Sequence, residues 1–162
     1  MIILGFDPGL ATIGYGVIEV IDKRTKAIDY GVITTPKEES TPVRLALIFK
    51  AANELIDKYK PEEIAMEELF FSQNITTGIN VAQARGVLIV SSINKCGLLF
   101  EYTPLQVKMA LTGYGRADKQ QIQAMVKAYL GLEKIPKPDD AADALAVALT
   151  HSQSRNIKGR MM

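Results

Sequence analysis

The chain is poor in the residues that cross-link proteins or bind soft metals: it has one cysteine, Cys96, and one histidine, His151. A single cysteine excludes an intrachain disulfide and points to a reducing, cytoplasmic compartment. Cys96 itself reads as a small buried apolar residue. One cysteine and one histidine also exclude a zinc site built from Cys and His ligands. No apolar run approaches the roughly 20 residues that cross a bilayer, and residues 86–90 are typical of the longest. The opening MIILGFD has neither a basic leader nor a small-residue cleavage site, so neither a signal peptide nor a membrane association is expected. No repeat, low-complexity tract or Pro/Gly/Ser-rich linker divides the 162 residues. That length suits one domain. The expected division is a domain over residues 1–154 and a basic, flexible tail over 155–162.

What is present is an ordinary apolar content of 48%, enough for a core, and an uneven charge distribution. Residues 1–94 carry 9 Lys/Arg against 12 Asp/Glu, and residues 95–162 carry 10 against 6. Three of those last six acids, Asp139, Asp140 and Asp143, sit together. With that cluster neutralised by cations, the second part is basic and compatible with a polyanionic partner.

Period and punctuation give a fold class. Residues 2–7 form a short apolar run closed by Pro8-Gly9, which signals a strand followed by a turn. Residues 14–21 and 27–34 read as two further strands with short connections, hence an antiparallel meander. Ser40 or Thr41 caps a helix with Pro42 in its first turn, and Leu45, Ile48, Ala52, Leu55, Ile56 and Tyr59 recur at helical spacing. A strand over 64–70, a helix over 75–95 and a strand over 98–102 follow. Helices over about 104–111, 119–130 and 138–152 complete the chain. The expectation is an α/β fold: a five-stranded mixed sheet, antiparallel over its first three strands and parallel in the rest, flanked by helices.

Acids fall where core segments call for apolar residues. Asp7 ends the first strand. Glu67 and Glu68 lie in IAMEELF, where period-2 alternation assigns them to opposite faces without choosing between them. Asp140 and Asp143 are i and i+3 on a helix face that continues through Ala144, Val147 and His151. Carboxylates on an inward, Ala-rich face are costly without a cation between them. A site made only of carboxylates selects hard ions such as Mg²⁺ or Mn²⁺, and a pair of such ions suits phosphodiester hydrolysis.

The segments ILGFDPGLATIGYGVI, IAMEELFFSQN, AQARGV and DDAADALAVALTH, in this order over nearly the whole chain, closely resemble the Holliday junction resolvases of the RuvC type. The resemblance implies a ribonuclease-H-like fold and an endonuclease that cuts four-way DNA junctions symmetrically with Mg²⁺, two ions per active site, Mn²⁺ substituting. It aligns Asp7, Glu67, Asp140 and Asp143 with the family's catalytic, metal-binding carboxylates, and so selects Glu67 over Glu68. Asp139 is left auxiliary, and His151 reads as a core or rim residue. The resemblance also implies a branch-migration helicase as partner.

For DNA, Phe70-Phe71 after Glu67 either packs in the core or stacks on junction bases; the resemblance favours Phe70 for stacking. Lys108 and Lys119 match basic family positions, and Arg116 lies in a Gly-Tyr-Gly-Arg loop between them, suited to phosphate contacts. The near-two-fold symmetry of a junction calls for a homodimer. Gly78, Ala82 and Gly86 recur every four residues and admit a close helix, from the partner or from the same chain. Asp7-Pro8-Gly9 also suits the phosphate loop of a sugar-kinase or actin-like ATPase, but such enzymes need about twice this length. A nuclease for other structured nucleic acids and a non-catalytic junction-binding module are the remaining readings.

Overall fold

The computed structural model describes residues 1–68 and 74–161, with side chains through Arg155. Five strands, β1 (Ile2–Asp7), β2 (Thr12–Ile21), β3 (Arg24–Thr34), β4 (Glu63–Glu67) and β5 (Leu99–Tyr102), form one sheet in the order β3-β2-β1-β4-β5. β1 pairs antiparallel with β2 and β2 with β3; β1 pairs parallel with β4 and β4 with β5. The helices are α1 (Thr41–Tyr59), α2 (Ile75–Lys95), α3 (Pro104–Thr112), α4 (Lys119–Leu130) and α5 (Asp139–Met161). The five-stranded mixed sheet expected from the sequence is therefore present, with α2 and α4 at the expected bounds. No helix among the described residues is long and apolar enough to cross a membrane.

Alternation along the strands divides the core in two. Ile3, Ile18 and Ala65 face α3, α4 and α5, where they meet Val107, Leu111, Val126, Leu130 and Leu145. Leu4, Phe6, Ile13, Val17, Ile64 and Met66 face α1 and α2, against Ile48, Ala52, Ile56, Ala84 and Leu88. Because β1 and β4 are covered on both faces, residues 2–6 and 64–66 are apolar on both sides rather than alternating, and acids stand only at the strand ends. Helix ends follow local chemistry. Ser40 caps α1 with Pro42 in the first turn, Asn74 caps α2, and Thr103 and Asp118 close capping boxes on α3 and α4.

β2 and β3 begin earlier than expected, at Thr12 and Arg24 rather than at residues 14 and 27, several other ends shift by one residue, and two differences bear on the site and the tail. β4 ends at Glu67, whereas a strand to residue 70 was expected; residues 69–73, including Phe70 and Phe71, lie outside the described residues. The last helix, expected to end at Ser152, continues to Met161, so the segment read as a tail from residue 155 begins inside α5. Neither proline nor glycine interrupts the chain between Ser152 and Lys158, and basic residues near a helix C-terminus favour its continuation.

Candidate active site

Asp7 ends β1 on the face that also carries Ile3 and Gly5, and this face lies under α5. Three glycines allow the helix to come down close. A Cβ on Gly5 would fall within the radius of the Ala144 carbonyl oxygen, and one on Gly14 within that of the Asp140 carbonyl oxygen. On Gly16 it would stand 2.7 Å from Leu145 Cδ2. Gly14 is also the register partner of Asp7. The first turns of α5 are thereby held over the end of β1. Asp7, Asp140 and Asp143 each offer a carboxylate oxygen, and these oxygens all lie within 4.8 Å of one another.

Glu67 joins from β4. Phe6 pairs with Met66, so the next residues along the two parallel strands are Asp7 and Glu67. Ala65 faces α5 while Ile64 and Met66 face the other helices, and Glu67 continues the Ala65 side. Glu67 stands outside the trio's 4.8 Å group but shares its electrostatics. With Asp7, Pro8, Glu68, Val81, Arg85 and Pro104 it lines a cleft of about 200 Å³.

Electrostatically this is a site under strain from like charge. Burial, then Asp143 and a hydrogen bond to Asp140, push the Asp7 carboxyl up to about 9. Burial and the Asp143 charge also raise Glu67, against the opposing pull of Lys108. Asp143 is raised by burial, with Lys119 opposing. The donor set is wholly oxygen, acidic and crowded, which fits hard divalent cations.

The basic residues expected to handle DNA stand in three different relations to the acids. Lys108, on α3, is close enough to Glu67 to favour its ionised form. Lys119, at the start of α4, lies 3.1 Å from Asp139 and 3.9 Å from Asp143. Arg116 is exposed on the loop between α3 and α4. Asp139 turns out of the cluster toward Lys119, Lys137 and Gln123. His151 is buried, its Nδ1 2.6 Å from the Tyr102 hydroxyl, its Nε2 on the Glu63 carboxylate and its ring stacked on Phe100. It is a core residue, two turns along α5 from the carboxylates. Gly78 is buried in its own chain, while a Cβ on Gly86 would meet nothing within 4 Å.

Two features of the site escaped the sequence reading. One is the glycine surface under α5, whose signal was the alternation of Gly14 and Gly16 on one strand face beside Gly5. The other is Arg85, half-buried on α2, which pairs with Glu101 of β5 and lines the cleft. Its signal was the AQARGV motif itself.

Residues 3–151 match the family model described as crossover junction endodeoxyribonuclease RuvC. Curated relatives of that description include one from Alkaliphilus oremlandii, 54% identical over 157 residues covering 97% of this chain and 96% of that protein. Another, from Clostridioides difficile, is 51% identical over 158 residues, covering 98% and 94%. Among solved structures, Thermus thermophilus RuvC superposes with a TM-score of 0.90 at 34% identity, covering 98% of this chain and 97% of the other. The same protein in complex with a Holliday junction substrate gives a TM-score of 0.91 at 33% identity, covering 98% and 96%. A conserved fold, a nearly full-length match and carboxylates converging at the end of β1 agree: the chain belongs to the RuvC family of crossover junction endodeoxyribonucleases.

Proposed function

We propose that this protein resolves four-way DNA junctions by hydrolysing one phosphodiester in each of two strands, at symmetric positions, with Asp7, Glu67, Asp140 and Asp143 as the carboxylates that hold Mg²⁺. The observation that carries the reading is the gathering of three acidic oxygens within 4.8 Å at a strand end, with Asp7 driven up to about 9 by burial and like charge. Bare, such a cluster disfavours its own ionisation; with divalent cations it becomes a favourable ligand set. Two bound ions, for which Mn²⁺ substitutes, would supply charge to activate a water and to stabilise the leaving oxygen.

The protein's own contribution is positioning and charge. Asp7, on a central strand, and Asp140 and Asp143, on a helix pressed against that strand, form a rigid frame. In the hydrolysis, a water oxygen bonds to phosphorus, the bond to one bridging oxygen breaks, and that oxygen gains a proton. Lys119, beside Asp143, is suited to stabilise negative charge on the phosphate, and Lys108, beside Glu67, to contact the neighbouring backbone. Arg116, exposed between them in sequence, adds a further phosphate contact. Phe70, outside the described residues, is retained as the base-stacking residue.

Two active sites on one junction require a homodimer. The refined candidate for its interface is an exposed stripe on α2, Ile79, Gly86, Val90 and Ile93, where the three aliphatic side chains are 48–53% exposed. With Gln83 it runs at alternating steps of four and three, the spacing of a helix-pairing seam. A branch-migration helicase is the further partner proposed on the family resemblance.

The test is a synthetic four-way junction with a short homologous core, end-labelled on each strand in turn. Wild-type protein in Mg²⁺ is expected to give paired symmetric nicks. EDTA, or Asp143→Asn in Mg²⁺, is expected to abolish the nicks while junction binding persists. Binding without nicks by wild-type protein across a set of core sequences would reduce the function to junction binding.

A further inference from the structure

Beside the acidic cleft lies a second groove of opposite character. It has a volume of about 360 Å³ and is formed by Gly9, Leu10, Ala11 and Thr12 on one side and Arg44, Thr77 and Asn80 on the other. Val81 lines both depressions, and Pro8 of the cleft is followed directly by Gly9 of the groove, so the two adjoin. Their chemistry differs sharply. The cleft is lined by Asp7, Glu67 and Glu68, whereas among the described residues no acid lines the groove, which carries a guanidinium, hydroxyls and an amide.

Arg44 is fixed from behind. Its Nε donates to Thr35 Oγ1 at 2.9 Å, and Thr35 Oγ1 in turn donates to the Leu10 carbonyl oxygen at 2.6 Å. The Thr35 amide also donates to the Ala11 carbonyl oxygen at 3.0 Å. Thr35 is 7% exposed, so this relay is shielded from water. It pins the turn that follows Asp7 and, through the same hydroxyl, the root of the Arg44 guanidinium. With Nε committed, the two terminal nitrogens remain to bind an anion, and a held guanidinium loses less rotamer freedom on doing so.

We propose that this groove is a phosphate subsite: Arg44, buttressed by Thr35 and assisted by Thr77 and Asn80, holds a backbone phosphate of the strand whose neighbouring phosphodiester occupies the acidic cleft. The inference deepens the proposed junction-cutting function and rests on it. Its logic is charge. A DNA strand crossing an acidic cleft is attracted there only through cations, so a fixed positive contact on the path beyond supplies affinity and register independent of the metal. Arg44 is therefore a binding residue, and Thr35 a positioning residue that acts through it.

The experiment measures binding of a fluorescently labelled four-way junction by anisotropy in EDTA, where no strand is cut, from 50 to 200 mM salt. Arg44→Ala is expected to weaken binding about tenfold at 100 mM salt and to lower the slope of log affinity against log salt by about one, the value for one lost phosphate contact. Thr35→Val is expected to give a smaller loss, and the double variant no more than Arg44→Ala alone, since the threonine acts through the arginine. Asn80→Asp leaves Arg44 and Thr35 in place but adds a negative charge to the groove; it should weaken binding several-fold with an unchanged melting temperature. Lys26→Ala, on the hairpin at the far end of the sheet, is the control and should shift neither quantity. Folded Arg44→Ala with wild-type affinity and slope overturns the subsite alone, and so does wild-type affinity of Asn80→Asp. Wild-type protein that binds no junction overturns the proposed function as well.

Discussion

Gly14 and Asp140 meet with no space for a side chain between them: the Asp140 carbonyl passes over Gly14, and Gly14 is paired in register with Asp7. One glycine thus sets the height of α5 above the strand that carries the first acid. Gly14→Ala must displace either the helix start or β2. Overpacking of this kind costs about 1–3 kcal/mol, occasionally more, and a shift of about 1 Å at a reacting centre costs on the order of a hundredfold in rate. The variant is expected to lose about 2–3 kcal/mol in chemical denaturation and about a hundredfold in junction cleavage. Wild-type stability and activity together would show that α5 does not depend on this close approach.

Metal-free protein should lose stability as the pH rises. The Asp7 carboxyl ordinarily titrates near 3.8 and is held up to about 9 in the fold. Between these values the folded chain keeps a proton that the unfolded chain releases, so its stabilisation is full at low pH and fades as the pH climbs toward 9. Glu67 and Asp143, both raised, act with the same sign. In EDTA the melting temperature is expected to fall from pH 5 to pH 9. Asp7→Asn carries no proton to titrate, so it should flatten that slope and at pH 8 be more stable than the wild type in EDTA. Saturating Mg²⁺ should stabilise the wild type and not the variant. A flat wild-type profile in EDTA would refute the electrostatic account of the cluster.

The sequence carried the carboxylates because their placement was anomalous: acids at a strand end and on an Ala-rich helix face stand out locally. The strand order of the sheet was legible as a class, antiparallel then parallel, from turn lengths and crossover helices. The Glu67/Glu68 choice was open to alternation, which fixes relative faces but not which face is which; the family resemblance selected Glu67. The structure adds that α5 packs across the sheet on the Ala65 side, which Glu67 shares by alternation. The direction of Asp139 was not legible. Its partners Lys119 and Gln123 come from α4, some 16–20 residues earlier in the chain, and only tertiary packing brings them together. The end of α5 differs for another reason: the charged, polar segment after Ser152 has no apolar period, yet it holds no proline, and its one glycine, Gly159, falls in the last turn.

The α2 stripe makes a distinct prediction about assembly. Val90 and Ile93 are exposed on a helix whose opposite face packs in the core through Ala84 and Leu88. Val90→Asp with Ile93→Asp places two charges on the seam without touching that core. Sedimentation velocity at micromolar concentration is expected to show a dimer for the wild type and a monomer for the double variant, with at least a tenfold weaker self-association. The monomer should also lose the pairing of nicks on opposed strands. A double variant that remains dimeric would move the interface elsewhere.

His151 separates structural from catalytic roles on the same helix. Its Nε2 contacts the Glu63 carboxylate and its Nδ1 lies 2.6 Å from the Tyr102 hydroxyl. Arg155 Nε also donates to Glu63, at 2.9 Å. His151 and Arg155 hold the Glu63 carboxyl below its ordinary range although burial opposes them. That stabilisation is present above the carboxyl's unfolded value and is lost as the pH falls through the folded one. The network joins the start of β4, the end of β5 and the middle of α5, two turns beyond Asp143. His151→Ala removes a partner from a buried carboxylate and opens a gap against Phe100, so it should cost about 3–5 kcal/mol, as when one member of a buried pair is lost. At a temperature where the variant remains folded, junction cleavage is expected within a factor of about three of wild type, because His151, Glu63 and Arg155 are not among the described residues that line the cleft, and Tyr102 reaches it only through its backbone pairing with Glu67 and Glu68. Folded His151→Ala that binds the junction but cuts a hundredfold more slowly would place the histidine in the catalytic machinery.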